Sequence, residues 1–481
     1  MDMSNPGSAP PAPCLASCTY AAPLPNGTDG AGLADLLTTG SESAWIRDGE
    51  GMVGLGTAAR YGTTGPGRFE SARRWWMAAT EAEAAESAGA RRSTVPDDGL
   101  PRRSPLAFAA FAFSDDSPVE SVLLVPEFVV GLAHGRSWLT WQVDLDAPEY
   151  AERAAAGWRP GRAEAEQRLA GLLAEAAGRE SGSGTPAHGL ELSDGTLSQE
   201  GYRAAVARGV QQIEAGALTK LVLARDAVVR STDPVDVPHV LRTLTVQYRD
   251  CWTYAVGGLI GSTPEMLVKV DGDTARARVL AGTLDRDGAP EGAAGSDYAG
   301  QLLSENPKQR HEHQLAVDSL TERLEPFTTS LDAPDEPFVL ELPNVWHLAT
   351  DVTARLVGAQ GTRRTGPGAL ALTEVLHPTA AVCGTPREEA AALIGELESA
   401  DHGLDRGLFA GPVGWLDGNG NGEFGIALRG AVVEDAHTVR LYAGCGIVAA
   451  SDPESELAET HAKMRPMLQA LGLDLKLAPR D

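Results

Sequence analysis

Short apolar runs alternate with turn signals over most of the chain, and this pattern predicts β-strands. Between residues 44 and 143, runs such as Phe108–Phe113 and Val122–Val125 are separated by clusters of Gly, Pro, Asp and Ser. Further strands are predicted at 221–224, 227–229, 275–280, 412–416, 424–428 and 439–442. Gly418–Gly422, between two of these strands, is a strong hairpin signal. Sequential hairpins of this kind predict antiparallel sheets.

One predicted hairpin contains a turn with an ionisable residue. Trp252–Ile260 and Met266–Val270 are predicted to form its strands, with a break at Gly261-Ser-Thr-Pro-Glu265. An acid held at such a turn is either solvated or partly buried. Burial would favour its protonated form and make Glu265 a candidate proton donor.

Helical periodicity predicts helices over Arg153–Ala177, Ser198–Ala215 and Ser304–Leu324, and another that starts at Ser451. Ser304 is the predicted N-cap of the third helix, and Ser451 with Glu454 has the spacing of a capping box. Helices packed against antiparallel sheets define an α+β protein, and we expect one large body with two sheets between helices.

The chain divides by composition into three parts. Residues 1–40 are rich in Ala, Pro and Gly and are predicted to be a mobile tail. Residues 41–180 form the N-terminal half of the body, and Gly178–Gly189 is a candidate linker. Residues 190–475 form the region with the candidate chemistry, and we expect the two halves to be intertwined.

Charge and cysteine content narrow the function. The 481 residues carry a net charge of −26, which argues against nucleic-acid binding and against adhesion to anionic membranes. An anionic substrate would need local Lys, Arg or a metal. Five cysteines do not suggest a disulfide framework, and no apolar run reaches the roughly 18 residues that span a bilayer. We expect a cytoplasmic protein without a signal peptide.

Several charged residues are candidates for chemistry. Lys220 begins an apolar strand, where it either reaches solvent at the sheet edge or points inward; burial disfavours the ammonium form and would make it a general base. Glu456, Glu459 and Lys463 share one face of the last helix, where they either lie in water or hold a cation and an anion together. Arg429 ends a strand and is either exposed or a carboxylate anchor.

The long helix contains His311-Glu312-His313. Adjacent helical residues point about 100° apart, so these three side chains cannot bind one zinc ion. Glu312 becomes relevant if it faces Glu456 and Glu459, because oxygen ligands alone favour Mg²⁺. Glycines after two strands, Gly282 before Thr283 and the pair Gly444 and Gly446, allow close approach of a ligand to the backbone.

Together these segments resemble the chorismate-utilising enzyme family, which includes isochorismate, salicylate, anthranilate and aminodeoxychorismate synthases. The resemblance covers roughly residues 200–472. It rests on segments 220–225, 261–265, 280–283, 308–313, 345–348, 376–386, 426–429, 442–447 and 451–463. It implies an α+β fold with two antiparallel sheets between helices and the active site at their interface.

The resemblance also implies roles for individual residues. Lys220 would deprotonate water for attack at ring carbon 2 of chorismate, and Glu265 would protonate the departing 4-hydroxyl. Mg²⁺ would be bound by Glu312 and Glu459 directly and by Glu456 through water. The implied substrate-binding residues are Gly282, Thr283, His347, Arg429, Gly444, Gly446 and Lys463.

Within the family, three positions favour isochorismate synthase. Lys220 stands where ammonia-using members have Gln, Ala281 where aminodeoxychorismate synthases have Lys, and Phe409 where salicylate synthases have Tyr. The alternative is a salicylate synthase, which would add pyruvate elimination. Two departures from the family pattern are Cys445 and Leu457. We expect a monomer that acts on chorismate, with a product used for siderophore, menaquinone or salicylate-type metabolism.

Overall fold

The structure, a computed structural model, describes most of the chain. It covers residues 11–22, 24, 32–37, 43–89, 105–179, 188–285, 302–303, 307–341, 345–358 and 366–473. Within these ranges the side chains at 82–89, 175–179, 281–283, 285, 307–308, 312 and 345 are outside the description. The candidate linker therefore lies largely outside the described residues, as does the predicted cap Ser304.

The predicted strands form two antiparallel sheets, numbered here along the chain. In the described residues the first sheet has twelve strands, in the order β1-β8-β7-β3-β2-β11-β12-β21-β22-β10-β18, with β9 beside β10. Its strands are β1 (Leu15–Ala21), β2 (Ser43–Arg47), β3 (Glu50–Leu55), β7 (Phe128–Ala133), β8 (Arg136–Asp144), β9 (Glu191–Asp194), β10 (Lys220–Arg230), β11 (Trp252–Val256), β12 (Leu259–Thr263), β18 (Gly384–Thr385), β21 (Gly430–Asp435) and β22 (Thr438–Ile447).

The second sheet has ten strands in the described residues, in the order β15-β17-β14-β13-β20-β19-β5-β6-β4, with β16 beside β17. Its strands are β4 (Ala59–Thr63), β5 (Leu106–Ala110), β6 (Ser121–Val125), β13 (Met266–Asp271), β14 (Thr274–Asp285), β15 (Thr328–Asp332), β16 (Phe338–Glu341), β17 (Val345–Leu356), β19 (Pro412–Asp417) and β20 (Gly422–Ile426). Both sheets mix strands from before and after residue 190, so the prediction of intertwined halves is confirmed.

Helices cover the outer faces of the two sheets. They are α1 (Arg68–Gly89), α2 (Ala151–Ala155), α3 (Arg162–Arg179), α4 (Gln199–Glu214), α5 (Val237–Gln247), α6 (Pro307–Leu324), α7 (Ala369–Leu376), α8 (Arg387–Ile394), continued by a π-helical turn at Gly395–Ala400, and α9 (Pro453–Leu471). Helices α4 and α5 pack against α9 over the first sheet, and α6 packs on β14 of the second. The predicted α+β class is confirmed.

A third apolar layer joins the facing sides of the two sheets. Trp45 and Trp252 of the first sheet belong to one buried cluster with Phe108, Val413 and Trp415 of the second. Aromatic side chains remove a large area from water, and this burial holds the sheets face to face.

One predicted hairpin is wrong, and its correction locates the functional region. The hairpin is β11–β12, closed by Gly257-Gly258, whose positive φ angles of 57° and 89° suit a two-residue turn. The break at Gly261–Glu265 is not a hairpin turn. There the chain leaves the first sheet at Thr263 and enters the second at Met266, with Glu265 between them.

Two helix predictions also need correction. The helix predicted over Arg153–Ala177 is two helices, because Gly157 has φ 86° and Pro160 follows before α3. The last helix is capped by Asp452, whose carboxylate accepts a hydrogen bond from Ser455 N, and not by Ser451. This places Pro453 at the first helical position, where its missing N–H has no cost. The predicted N-cap Ser198 of α4 is confirmed.

The predicted mobile tail is wrong over part of its length. Leu15–Ala21 forms the edge strand β1, paired along its length with β8, and Leu15 and Ala16 are buried. The backbone N–H and C=O groups of β8 need partners, and small residues such as those of β1 can supply them. Composition alone does not reveal this pairing. In the described part of the chain, none of the helices has the length and apolar character needed to cross a membrane.

The interlocked sheets predict that residues 190–481 do not fold alone. A chain starting at Leu190 loses β2, which pairs with β11, and β5, which pairs with β19, and so exposes strand edges in both sheets. We expect no cooperative urea unfolding, monitored by circular dichroism. A chain lacking residues 1–10 alone is the control and should unfold cooperatively. A folded, active protein starting at Leu190 would contradict the prediction.

Candidate active site

A cavity of about 280 Å³ opens at the interface of the two sheets. Its lining comes from β10 and β22 of the first sheet, from β14 and β17 of the second, and from the first turns of α9. The position agrees with the prediction that the site lies between the sheets. Enclosed sites of this size with a few convergent polar groups suit a small ligand.

One wall of the cavity is the ladder between β10 and β22. Lys220, Val222 and Ala224 alternate with residues of the opposite face, so all three face the cavity, and Lys220 is only 4% exposed. Val222 pairs with Gly446 and Ala224 with Gly444. A Cβ atom at Gly444 would lie 2.8 Å from Leu223 O, so glycine is needed here for the close approach of the two strands.

Glu265 lies where the chain crosses from the first sheet to the second. Its backbone N donates to Thr263 Oγ1 at 3.2 Å, and its carbonyl accepts from Ile426 N at 3.1 Å, so the crossing is fixed. The side chain is 5% exposed. Burial raises the pKa of Glu265 to about 8, although Lys220, Lys463 and Arg429 each act to lower it. The predicted shift is confirmed, and Glu265 is largely protonated at neutral pH.

Arg429 lies at a second crossing, immediately beside the first. The chain leaves β20 at Ile426 and enters β21 at Gly430, and Arg429 O accepts a hydrogen bond from Ser262 N at 3.2 Å. Arg429 has φ 51°, a left-handed conformation that costs a non-glycine residue free energy and often marks a functional site. Its Nη2 lies 3.3 Å from His347 Nε2, and burial lowers the pKa of Arg429.

The last helix brings charged groups to the opposite wall. Lys463 Nζ lies 2.7 Å from Glu459 Oε1 and donates to Gly444 O at 2.8 Å, so the predicted shared face is confirmed. Burial acts to lower the pKa of Lys463, but the Glu459 carboxylate outweighs it and the pKa is raised. Cys445 Sγ and carboxylate oxygens of Glu456 and Glu459 all lie within 4.8 Å of one another.

Comparison with known proteins identifies the family. The model of the family "Chorismate binding enzyme" matches residues 39–472. The isochorismate synthase DhbC of Bacillus subtilis (strain 168) is 36% identical over 286 residues, which cover 57% of this chain and 68% of that protein.

The chain belongs to the chorismate binding enzyme family.

Two solved structures support this assignment. One is a putative 2,3-dihydroxybenzoate-specific isochorismate synthase, DhbC from Bacillus anthracis; its TM-score is 0.69 at 29% identity, over 92% of this chain and 99% of that one. The other is MenF, the menaquinone-specific isochorismate synthase from Escherichia coli, with a TM-score of 0.70 at 24% identity, over 98% of this chain and 97% of that one. The second likeness shows the fold alone.

In this chorismate binding enzyme, the structure brings most of the predicted residues to one cavity. The cavity is lined by Lys220, Glu265, His347, Arg429, Gly444, Gly446, Glu456, Glu459 and Lys463. The side chains at positions 282, 283 and 312 are outside the described residues. The backbone of Thr283 in β14 pairs with His347 in β17, and Gln309, in the same helix as position 312, lines the cavity. The roles of these residues stay predictions.

The donor atoms at the start of α9 have the chemistry that Mg²⁺ requires. The two carboxylates of Glu456 and Glu459 supply negatively charged oxygen atoms, which Mg²⁺ prefers. Burial raises the pKa of the Cys445 thiol well above its usual value, so this sulfur is neutral and adds no charge. Lys463 now balances the charge of Glu459. The described residues therefore fit a hard divalent cation.

Sequence reasoning missed Arg406, which lines the cavity and is 3% exposed. Its partner is the buried Glu398 in the π-helical turn, at 2.6 Å. Arg406 follows Asp405 in a loop, and Glu398 is one of several acids in its segment, so no periodicity distinguishes this pair from solvated charges. An arginine flanked by apolar segments, at 404 and 408–410, was the available signal.

The raised pKa of Glu265 predicts a pH-dependent effect of Glu265→Gln on stability. Between about pH 4.5 and pH 8 the folded protein retains this proton and the unfolded chain does not, so wild-type stability falls as the pH rises through that window. Glutamine removes this dependence. The free energy of unfolding of the variant, relative to wild type, should therefore increase from pH 5 to pH 8 in urea titrations.

Glu214→Gln is the control for this measurement, because Glu214 is exposed at the end of α4. Its effect relative to wild type should be equal at the two pH values. An equal effect of Glu265→Gln at both would show that the pKa of Glu265 is not raised.

Proposed function

We propose that this protein is an isochorismate synthase, which converts chorismate to isochorismate. The observation that carries the proposal is the pairing of Lys220, from the first sheet, with a protonated Glu265, from the crossing between the sheets, in one cavity. A base and an acid with opposite proton requirements are what the substitution needs. The relative from Bacillus subtilis and both solved structures are named isochorismate synthases.

The residues divide the proton transfers. The amine form of Lys220 accepts a proton from water as the water oxygen forms a bond to ring carbon 2. The ring double bond shifts, and the bond between carbon 4 and its hydroxyl oxygen breaks. Glu265 donates its proton to that oxygen, which leaves as water. A pKa of about 8 keeps Glu265 in the donating form at neutral pH.

Cationic groups around the cavity bind the substrate carboxylates in an otherwise acidic protein. Arg429 presents a guanidinium suited to two parallel hydrogen bonds with a carboxylate, and Lys463 presents a point charge beside Gly444. The backbone at Gly444 and Gly446 allows the ligand to lie against β22. His347, beside Arg429, orients that guanidinium.

Glu456 and Glu459, with Glu312 as a further predicted ligand, would hold Mg²⁺. The ion would supply positive charge to the ring carboxylate of chorismate. The names of the two solved structures differ in downstream use, 2,3-dihydroxybenzoate in one and menaquinone in the other. They share the isochorismate-forming step, and this step is the one proposed. The monomeric state and the cytoplasmic location stay predictions.

Lys220→Ala should abolish hydroxylation of chorismate while leaving substrate and Mg²⁺ binding largely intact. Loss of a positioned general base typically lowers the rate by about 10²- to 10⁴-fold. Product analysis by chromatography, after incubation with chorismate and Mg²⁺, checks this. Wild type should accumulate isochorismate with little pyruvate.

The matched control is Lys269→Ala, since Lys269 lies in the second sheet and pairs with Glu423 at 3.4 Å, away from the cavity lining. It should retain wild-type turnover. Stoichiometric pyruvate with salicylate from wild type would assign the salicylate synthase activity instead. An ammonia-dependent aminated product would contradict water as the nucleophile.

Glu459→Gln should weaken Mg²⁺ binding by about 10-fold or more, because one of the charged oxygen ligands is lost. Isothermal titration calorimetry with Mg²⁺ measures this directly, and the activity at millimolar Mg²⁺ should fall in parallel. Glu454→Gln is the control on the same helix, since Glu454 is exposed and pairs with Arg203 at 2.6 Å. Unchanged Mg²⁺ affinity in Glu459→Gln, or full turnover in EDTA, would refute the metal assignment.

A further inference from the structure

One edge of β10 lacks a neighbouring strand at the height of the cavity. On that edge β18 pairs with residues 220–221 and β9 pairs with residues 227–230. In the described part of the chain, residues 222–226 have no strand partner there. Buried backbone N–H and C=O groups need hydrogen bonds, so something other than a strand must satisfy them.

Side chains take the place of the missing strand. Glu398 Oε1 accepts a hydrogen bond from Ala224 N at 2.7 Å, and Arg406 Nη2 donates to Val222 O at 2.7 Å. Val222 N donates to Cys383 O at 2.8 Å. Glu398 and Arg406 thus hold two backbone groups of β10 on the strand that begins with Lys220.

The two side chains are bound to each other as well. Arg406 Nε donates to Glu398 Oε2 at 2.7 Å, and Nη2 donates to Oε1 at 2.6 Å. Arg406 Nη1 donates to Val382 O at 2.8 Å, and the guanidinium lies 4.4 Å from the centre of the Phe113 ring. Every part of this planar group is engaged, and neither residue is more than 3% exposed. A two-point ion pair of this kind has a defined geometry.

These contacts join segments that form one side of the cavity. Val382 belongs to the loop before β18, and Phe409, three residues after Arg406, stacks on Tyr442 of β22 with ring centres 5.3 Å apart. A buried ion pair can often be replaced by apolar residues without loss of stability. Here replacement would also leave Ala224 N and Val222 O without partners, which is costly.

We infer that the Glu398–Arg406 pair positions Lys220 against the reacting water, and that Arg406 is a positioning residue of this site. The inference rests on the proposed function. Lys220 and Glu265 belong to different segments, so their separation depends on where β10 lies. Lys220 is two residues before Val222, and a shift of β10 moves its amine directly. A displacement of about 1 Å in a catalytic group can lower the rate about 100-fold.

Arg406→Lys tests the inference, because lysine keeps the charge beside Glu398 but cannot reach Glu398, Val222 O and Val382 O together. We expect kcat for isochorismate formation to fall by about 100-fold, with KM for chorismate within about threefold of wild type. Mg²⁺ affinity, measured by calorimetry, should not change. A folded Arg406→Lys protein with wild-type kcat would overturn the inference.

Arg208→Ala is the matched control. Arg208, on α4, forms exposed ion pairs with Glu396 and Asp401, next to the same π-helical turn. It should change neither kcat nor KM. An equal loss of kcat in Arg208→Ala would show that general loosening of this turn, and not the contact with β10, lowers the rate, and would overturn the inference.

A double-mutant comparison separates positioning of Lys220 from any other role. If Arg406 acts through Lys220, Arg406→Lys should lower the residual rate of Lys220→Ala very little. A further loss of about 100-fold in that background would overturn the inference. In a third variant, Arg406→Ala, millimolar guanidinium should fill the space and restore kcat at least in part. No recovery in the folded variant would count against it.

Isochorismate formation by wild type, measured in the same assay, tests the proposed function independently of these ratios. If wild type forms salicylate or an aminated product, the proposed function fails. The ratios of variant to wild-type kcat for that product still test the position of Lys220.

Discussion

Two neighbouring chain crossings between the sheets are the constraint on which the site depends. The first joins β12 to β13 through Glu265, and the second joins β20 to β21 through Arg429. Because β12 pairs with β21 and β13 with β20, the crossings are held side by side at both ends. At Gly261 a Cβ atom would lie 2.7 Å from Gly430 Cα, so the strands can approach this closely only with glycine. Glu265 and Arg429 therefore face the same gap between the sheets.

The same gap accounts for the electrostatics of the site. Burial opposes every charge placed there, and it raises the pKa of Glu265 while lowering that of Arg429. Lys463 keeps its proton because Glu459 lies beside it. The protein as a whole carries −26, so binding of an anion requires cations that the acidic surface does not screen. Cations inside the gap act at low dielectric and short range, where they outweigh the distant surface charge.

Local patterns predicted much of this molecule, and non-local pairing explains what they missed. Periodicity located β10, β19 to β22 and α4, and the spacing of Glu459 and Lys463 predicted their contact. Strand β1 was missed because its stability comes from pairing with β8, more than 100 residues away. The hairpin was misplaced because Gly257-Gly258 and Gly261–Glu265 both carry turn residues, and only the packing of two sheets distinguishes a turn from a crossing. Arg406 and Glu398 were missed because their roles depend on a gap in strand pairing that no short pattern encodes.

Acid and base are held in this site by different means, and this difference has a consequence for mutation. Glu265 is fixed by the backbone of a crossing, with Ile426 N and Thr263 Oγ1 as partners, so many side-chain substitutions nearby leave it in place. Lys220 stands at the start of a strand whose adjacent edge is completed by two side chains, Glu398 and Arg406. A backbone scaffold persists when side chains change, whereas a side-chain scaffold is lost with one substitution. The position of the base is therefore the more sensitive of the two, although the segment that carries it is among the most deeply buried in the protein.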